Sequence, residues 1–371
     1  MQFTCNTKPL SDALNLGIIN SNVSKYYRKS CLAQLTATKT SLRVNLEAES
    51  IVTQLIVKGA GDADASESIF VDSLLLKQLV STFETATVTL EFIENGLVLH
   101  SGKSKFTLPK MIDSIELELN SPKDVSDQSG VSVDIDKDAW RFVKDHQMFA
   151  IAMSFTHPVY TKVWIGDTGD VLVGDFDNSL FTHSKRSNLG TTCLLSETIV
   201  NLFNALPEGA KLTRYDRSYL ISLQLDSYSY VSEFQPQYET DEGVGSYNSA
   251  IFLNMMKHPV SNYVETSAAA INKFLGQATL LSTSTEDTIF VSVGDGQVKL
   301  YTDTLKCEVA ATGITPDVYT GEFRVDTLKS IVANYVDGDK VCIYPMLEES
   351  VVIGLLFWNK DCTSMLSSVA E

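Results

Sequence analysis

Apolar residues spaced i, i+3, i+4 and i+7 mark one buried stripe on a helix of about three turns, and this chain repeats that spacing in a recurring phrase. The phrase reads VDSLLLKQLVSTFETATV from Val71, SETIVNLFNALPEGAKL from Ser196 and RVDTLKSIVANYVDGDKV from Arg324. Each copy opens on a residue that can hold the free N–H groups of a first turn: Asp72, Ser196–Glu197 and Asp326. The stripes are Leu76, Leu79, Val80 and Phe83; Ile199, Leu202, Phe203 and Leu206; and Leu328, Ile331, Val332 and Tyr335. The second and third copies align without a gap, so the pattern predicts three related domains along one chain.

Around these helices the periodicity changes to two. Residues 31–38, 41–47 and 51–57 alternate apolar and polar side chains, as half-buried antiparallel strands do. They follow a strand at Phe3–Cys5 and a helix running through Leu10, Leu14, Ile18 and Ile19. After the first phrase come strands 88–92, 97–101 and 105–108, with Asn95–Gly96 as a hairpin signal. The plan restarts after a Ser-, Pro- and Asp-rich stretch at 120–130, with a strand at 131–135 and a helix predicted over Asp136–Met153. It restarts again near residue 250, with a helix predicted over Ser267–Leu280. One helix for every three or four strands excludes an alternating parallel sheet. The expected class is α+β, built from six βαβββ units in three domains, 1–119, 120–249 and 250–371, with antiparallel sheets and the helices gathered on one face.

Composition narrows the function. The chain is 44% hydrophobic and 20% charged, with no low-complexity tract and no apolar run long enough to span a membrane. The N-terminal MQFTCNTKPLSDAL lacks a signal-peptide core, so a cytoplasmic location is expected. The six cysteines show no CxxC spacing and read as reduced, buried small hydrophobes. A formal charge of −17 excludes a protein that coats nucleic acid with its whole surface, but not one that is basic on an inner face.

Catalytic signatures are absent: there is no GxxxxGK[ST] loop, HExxH pair or GxSxG elbow. His100, His146, His157, His183 and His258 are dispersed without metal-ligand spacing, and those in strands read as structural. Asp134, Asp136 and Asp138 begin like a calcium loop, but Ala139 and Asp145 stand where the glycine and glutamate would be, so helix capping explains them better. Asp175 and Asp177 alternate on a strand, and solvent-facing turn chemistry explains them as well as a carboxylate pair does. No cofactor, no metal and no enzymatic activity are expected. The few basic residues are more telling: Lys25, Arg28 and Lys29 after the first helix, Lys77 and Lys329 off the stripes of their helices, Arg141 and Lys144 on the long helix, and Lys273. Together they suggest a sparse lining that touches phosphates without reading bases. The second phrase carries no cation, so the second domain's charge falls to Arg141 and Lys144.

The passage IFVDSLLLKQLVSTFETATVTLEFIENGLVLHSGKSKFTLPKM resembles the first domain of bacterial DNA polymerase III beta subunits, the sliding clamps, most closely in SGKSKF. LTATKTSLRVNLEAE resembles that family's paired strands. The similarity is clear over 1–110, moderate over 250–345 and thinner over 120–250. It implies a head-to-tail homodimer closing a six-domain ring, helices lining the hole and sheets outside, around double-stranded DNA of any sequence. It also implies a hydrophobic pocket for DNA polymerase and clamp loader, carried over to Tyr160, Phe176, Asn178, Leu180, Phe181, Pro236, Met365, Leu366 and Val369. Here the chain departs from the family. Phe176-Asp177-Asn178-Ser179-Leu180-Phe181 replaces Thr-Asp-Gly-His-Arg-Leu, Phe234-Gln235-Pro236-Gln237-Tyr238 replaces Phe-Pro-Asp-Tyr, and the Met-Pro-Met-Arg-Leu ending is missing. Such divergence suggests a phage-encoded member acting in an infected bacterial cell. The ring interface would join Leu280 and Leu281 to Lys103, Lys105, Phe106 and Leu108, with intradomain core as the other reading of the two leucines. The rival function is a β-rich structural or virion protein without a DNA role.

Overall fold

The computed structural model describes residues 1–18, 32–48, 51–62, 67–111, 119–123, 129–152, 156–241, 245–281, 287–313, 315, 317–338 and 340–369. Six βαβββ units follow one another. The first is β1 (Gln2–Asn6), α1 (Thr7–Gly17), β2 (Leu32–Ala37), β3 (Ser41–Ala48) and β4 (Ile51–Gly61). The second is β5 (Glu67–Asp72), α2 (Ser73–Ser81), β6 (Thr87–Ile93), β7 (Gly96–Ser101) and β8 (Ser104–Pro109). Next are β9 (Val131–Val133), α3 (Lys137–His146), β10 (Lys162–Ile165), β11 (Asp170–Asp175) and β12 (Leu180–Lys185), then β13 (Cys193–Ser196), α4 (Glu197–Ala205), β14 (Lys211–Arg214), β15 (Tyr219–Gln224) and β16 (Tyr228–Phe234). A short helix α5 (Ser249–Met255) precedes β17 (Val264–Ser267), α6 (Ala268–Leu281), β18 (Thr288–Gly294), β19 (Gln297–Tyr301) and β20 (Lys306–Gly313). The last unit is β21 (Tyr319–Arg324), α7 (Val325–Ala333), β22 (Lys340–Glu348), β23 (Val351–Trp358) and β24 (Thr363–Ser367). The chain is α+β with antiparallel sheets throughout the described residues.

Contacts divide the chain into two compact units: residues 1–137 with 198–236, and residues 138–197 with 237–371. In unit 1 the ladder runs β8-β7-β6-β1-β4-β16-β15-β14-β9. Its seam is β4 against β16, from Ile51↔Phe234 to Val57↔Tyr228, where buried Thr53 and Ser232 hydroxyls meet at 2.9 Å. The sheet buries Leu35, Val44 and Leu55, and the helices α1 and α2 bury Leu10, Leu14, Leu76 and Val80. Asp72 caps α2, its carboxylate accepting from the Leu75 N–H at 2.9 Å. Phe83, the last residue of the first stripe, is only half-buried and stacks on Phe106 at 5.6 Å.

In unit 2 the ladder runs β13-β10-β11-β12-β24-β23-β22-β17-β20-β19-β18-β21. The seam here is β12 against β24, from Leu180↔Leu366 to His183↔Thr363. Helices α6 and α7 pack together, and Ile271, Phe274, Leu275, Leu328, Ile331 and Val332 on them are all buried. Tyr335, fully buried at the end of the third phrase, donates to the Phe357 carbonyl and lies 2.9 Å from the Ser364 hydroxyl.

Four local expectations are corrected. The helix predicted to reach Met153 stops at His146. Gln147 leaves helical geometry at φ −124°, because its buried side chain is bonded to the sheet through the Val171 carbonyl and the Ser184 hydroxyl. A separate 3-10 turn, Met148–Ala150, follows. The stretch before residue 250 is not only connecting chain: it holds fully buried Tyr247 and leads into α5. The Asn95–Gly96 hairpin turns instead on Glu94–Asn95, and Gly96 opens β7. Gly96 is there for space, since a Cβ would sit 2.4 Å from the Leu108 carbonyl oxygen. Finally, Asp175 is buried rather than solvent-facing.

Candidate functional site

The basic set comes first. Lys25, Arg28 and Lys29 lie outside the described residues. Arg141 and Lys144 are exposed on α3 and Lys273 is exposed on α6, Arg141 and Lys273 opposite their helix's buried residues and Lys144 beside them. Lys77 and Lys329 also lie off their stripes, yet they are half-buried and committed to a neighbouring helix. The Lys77 ammonium donates to the Ile18 carbonyl at 2.5 Å, at the C-terminal end of α1, where a cation suits the helix dipole. Burial pulls its pKa below the ordinary lysine value. Lys329 on α7 reaches the Thr279 hydroxyl of α6 at 3.5 Å. The two lysines hold the same place in the phrase, and the second copy has buried Val200 there.

The predicted pocket residues of unit 2 form an aromatic cluster. Tyr160 is buried and stacks on Phe176 at 5.6 Å, with Phe181 edge-on at 5.9 Å and Tyr247 at 4.8 Å. Phe181 in turn stacks on Phe252 of α5 at 3.8 Å. Across the β12–β24 seam, Leu180 faces Leu366 and Phe181 faces Met365, and all four are buried. The open members are Phe176, 46% exposed, Val369, 38% exposed, and Asn178. Phe176 is presented by a turn that Asp175 organises, accepting from the N–H groups of Asp177 and Asn178 and from the Asn178 amide at 2.6 Å. The Asn178 carbonyl oxygen accepts from Arg324 at 3.2 Å, so that side chain is held at both ends. Pro236 is buried in unit 1. The sequence reading missed His157, Tyr247 and Phe252, which wrap Tyr160. The signal available was the density of aromatic residues, not their spacing.

The predicted interface residues split by exposure. Leu280 is 84% and Leu281 60% exposed at the end of α6, so neither belongs to the core of unit 2. In unit 1, Lys103, Lys105 and half-stacked Phe106 are exposed on or beside β8, whereas Leu108 is buried. β8 ends its ladder, and no strand covers its outer edge among the described residues.

The histidines of the strands pair with carboxylates: His100 with Glu91 and His183 with Asp170, each at 2.8 Å. Among the described residues no group of three or more His, Cys, Asp or Glu side chains is arranged to hold a metal ion. No described helix is long and apolar enough to cross a membrane.

No family model and no curated protein matches this sequence. Solved structures do match its fold. The DNA polymerase III beta chain of Streptococcus pneumoniae superposes with a TM-score of 0.72 at 14% identity, covering 100% of both chains. The sliding clamp of Caulobacter crescentus gives 0.72 at 13% over 100% of both. That of Bacillus subtilis gives 0.72 at 13%, covering 100% of this chain and 99% of its own. The chain has the sliding-clamp fold. The likeness runs end to end, so the resemblance that the sequence showed most clearly over residues 1–110 extends, at the level of fold, through the thin stretch of 120–250.

Proposed function

We propose that this protein is a DNA sliding clamp, a non-catalytic processivity factor that encircles duplex DNA and tethers a replicative polymerase. The observation that carries the reading is the end-to-end match of all six βαβββ units to clamp structures. Domains 1–119, 120–249 and 250–371 would each supply two units, and two copies would close a head-to-tail ring. Exposed Leu280 and Leu281 on one copy and the open β8 edge with Phe106 on the other are the surfaces such a contact needs. Helices would face the hole, where Arg141, Lys144 and Lys273 supply the free cations and Lys77 and Lys329 contribute less. A formal charge of −17 then lies mostly outside. Weak phosphate contact suffices, because an encircled duplex cannot leave sideways, and sparse charge lets the ring slide. The partner surface for polymerase and clamp loader is the aromatic cluster, with Phe176 and Val369 as its accessible part. The divergence from the bacterial pocket pattern supports a phage-encoded clamp acting in the cytoplasm of its host.

The test is charge reversal on α3. Arg141→Glu with Lys144→Glu should leave native mass unchanged and shorten retention on circular duplex DNA. Unchanged retention would remove α3 from the DNA-facing surface.

A further inference from the structure

Unit 2 holds a cleft of about 790 Å³ that neither the DNA-facing cations nor the aromatic partner surface uses. One wall is the end of α3, with Phe142 and His146; another is His258 with Trp358 behind it. The His258 ring is partly covered and partly open to solvent, stacked on Trp358 at 5.0 Å and 20°, and fixed by a 2.7 Å hydrogen bond between its Nε2 and the Thr363 hydroxyl. Burial first, then the charge of His183, lowers its pKa below the ordinary histidine value, so at neutral pH it is a flat, uncharged and preset stacking surface. Phe142 and His146 form a second ring pair at 4.6 Å, and the His146 Nδ1 is shielded from solvent without a hydrogen-bond partner.

The charges of the cleft suit a phosphodiester better than a count of acids suggests. Glu265 is bound by Lys340 at 2.7 Å, and Asp361 by Arg186 at 2.5 Å. The Arg186 guanidinium also lies 4.4 Å over the Phe142 ring, which fixes it in place. Asp337 remains as an open carboxylate, matched by the exposed cation Lys360 on the cleft. Aromatic platforms interleaved with cations are the elements of single-strand binding, whereas a base pair in a duplex presents no free face to stack on.

We infer that this cleft binds one unpaired nucleotide of a DNA strand, its base on the His258–Trp358 platform and its phosphate at Lys360. The inference deepens the clamp reading and rests on it for the source of the strand: a primer–template junction, where the single-stranded template leaves the duplex beside α3. The cleft would then give the protein a preference for junctions over uniform duplex.

The experiment measures binding of a labelled short oligothymidylate, and of a hairpin duplex with the same number of phosphates, by fluorescence anisotropy on the full-length protein. Oligothymidylate is expected to bind more tightly than the hairpin. His258→Ala should weaken it about tenfold, the worth of one stacked base. Lys360→Glu, an exposed change that serves if the histidine variant fails to fold, should weaken it and reduce the salt slope by about one ion. Neither should alter retention on circular duplex. Equal binding of the two DNAs by the unaltered protein, or single-strand binding insensitive to both substitutions, would overturn the inference. If retention on circles fails while the His258-dependent binding persists, the clamp reading falls and the cleft assignment stands.

Discussion

Asp170 shows how one buried acid is made useful. Burial alone would raise its pKa, but hydrogen bonds from the Thr168 hydroxyl at 2.5 Å and from His183 at 2.8 Å outweigh that and hold it below the ordinary aspartate value. A carboxylate depressed on folding stabilises the protein above its unfolded pKa, about 3.9, and loses that contribution as the pH falls through the folded value. Asp170→Asn should therefore lower the urea midpoint at pH 7 and converge with the unaltered protein as the pH falls through the folded value of Asp170. A gap that stays constant with pH would mean that the charge contributes nothing. Lys77 tests a different point. Its bond to the Ile18 carbonyl makes it a tie between α1 and α2. Lys77→Ala should cost about 1 kcal/mol of stability in denaturant titration while changing retention on DNA less than the α3 reversal does. Cys193 and Cys362 are pushed up to about 12 by burial. Peptide mapping after thiol labelling at pH 8 should find both unmodified until the protein unfolds.

At the scale of elements, the exposed end of α6 allows folding to be tested apart from the proposed assembly. Leu280→Asp with Leu281→Asp removes no buried contact within unit 2, so the melting temperature of the dissociated chain should be unchanged. Native mass should fall from twice 40.8 kDa to 40.8 kDa. A variant that melts early without dissociating would return these leucines to a structural role. This element also marks how far the sequence could be read. Period-two and 3.6-residue patterns located all six βαβββ units, because the helices each bury one stripe and strands such as β2, β4 and β16 alternate, although β11 and β24 are buried almost throughout. The stripes could not tell where α3 ends, since Gln147 breaks the helix with a side chain bonded to strands distant in sequence. Nor could they show that lysines off the stripe would turn to a neighbouring helix, because side-chain partners of that kind depend on helix pairing. Helix α5 was missed because seven residues, with Phe252 alone buried, leave no periodic signature. The aromatic cluster around Tyr160 is assembled from segments some 90 residues apart in sequence, from His157 to Phe252, so its members were only partly nameable.

On the proposed function, the molecule as a whole acts by topology. The fold supplies repeated βαβββ units, and the charge is strongly negative with a few exposed cations on helices. On that proposal the protein holds DNA by enclosing it, and its hold should then depend on whether the DNA has ends. Subunits diluted until they separate, mixed with nicked circular duplex and then concentrated can close around the DNA without a loader. After a high-salt wash, the account predicts that protein stays with the circles and is released when a single restriction cut makes them linear. Equal retention on circular and linear DNA, or none on either while the native mass shows a closed dimer, would contradict it.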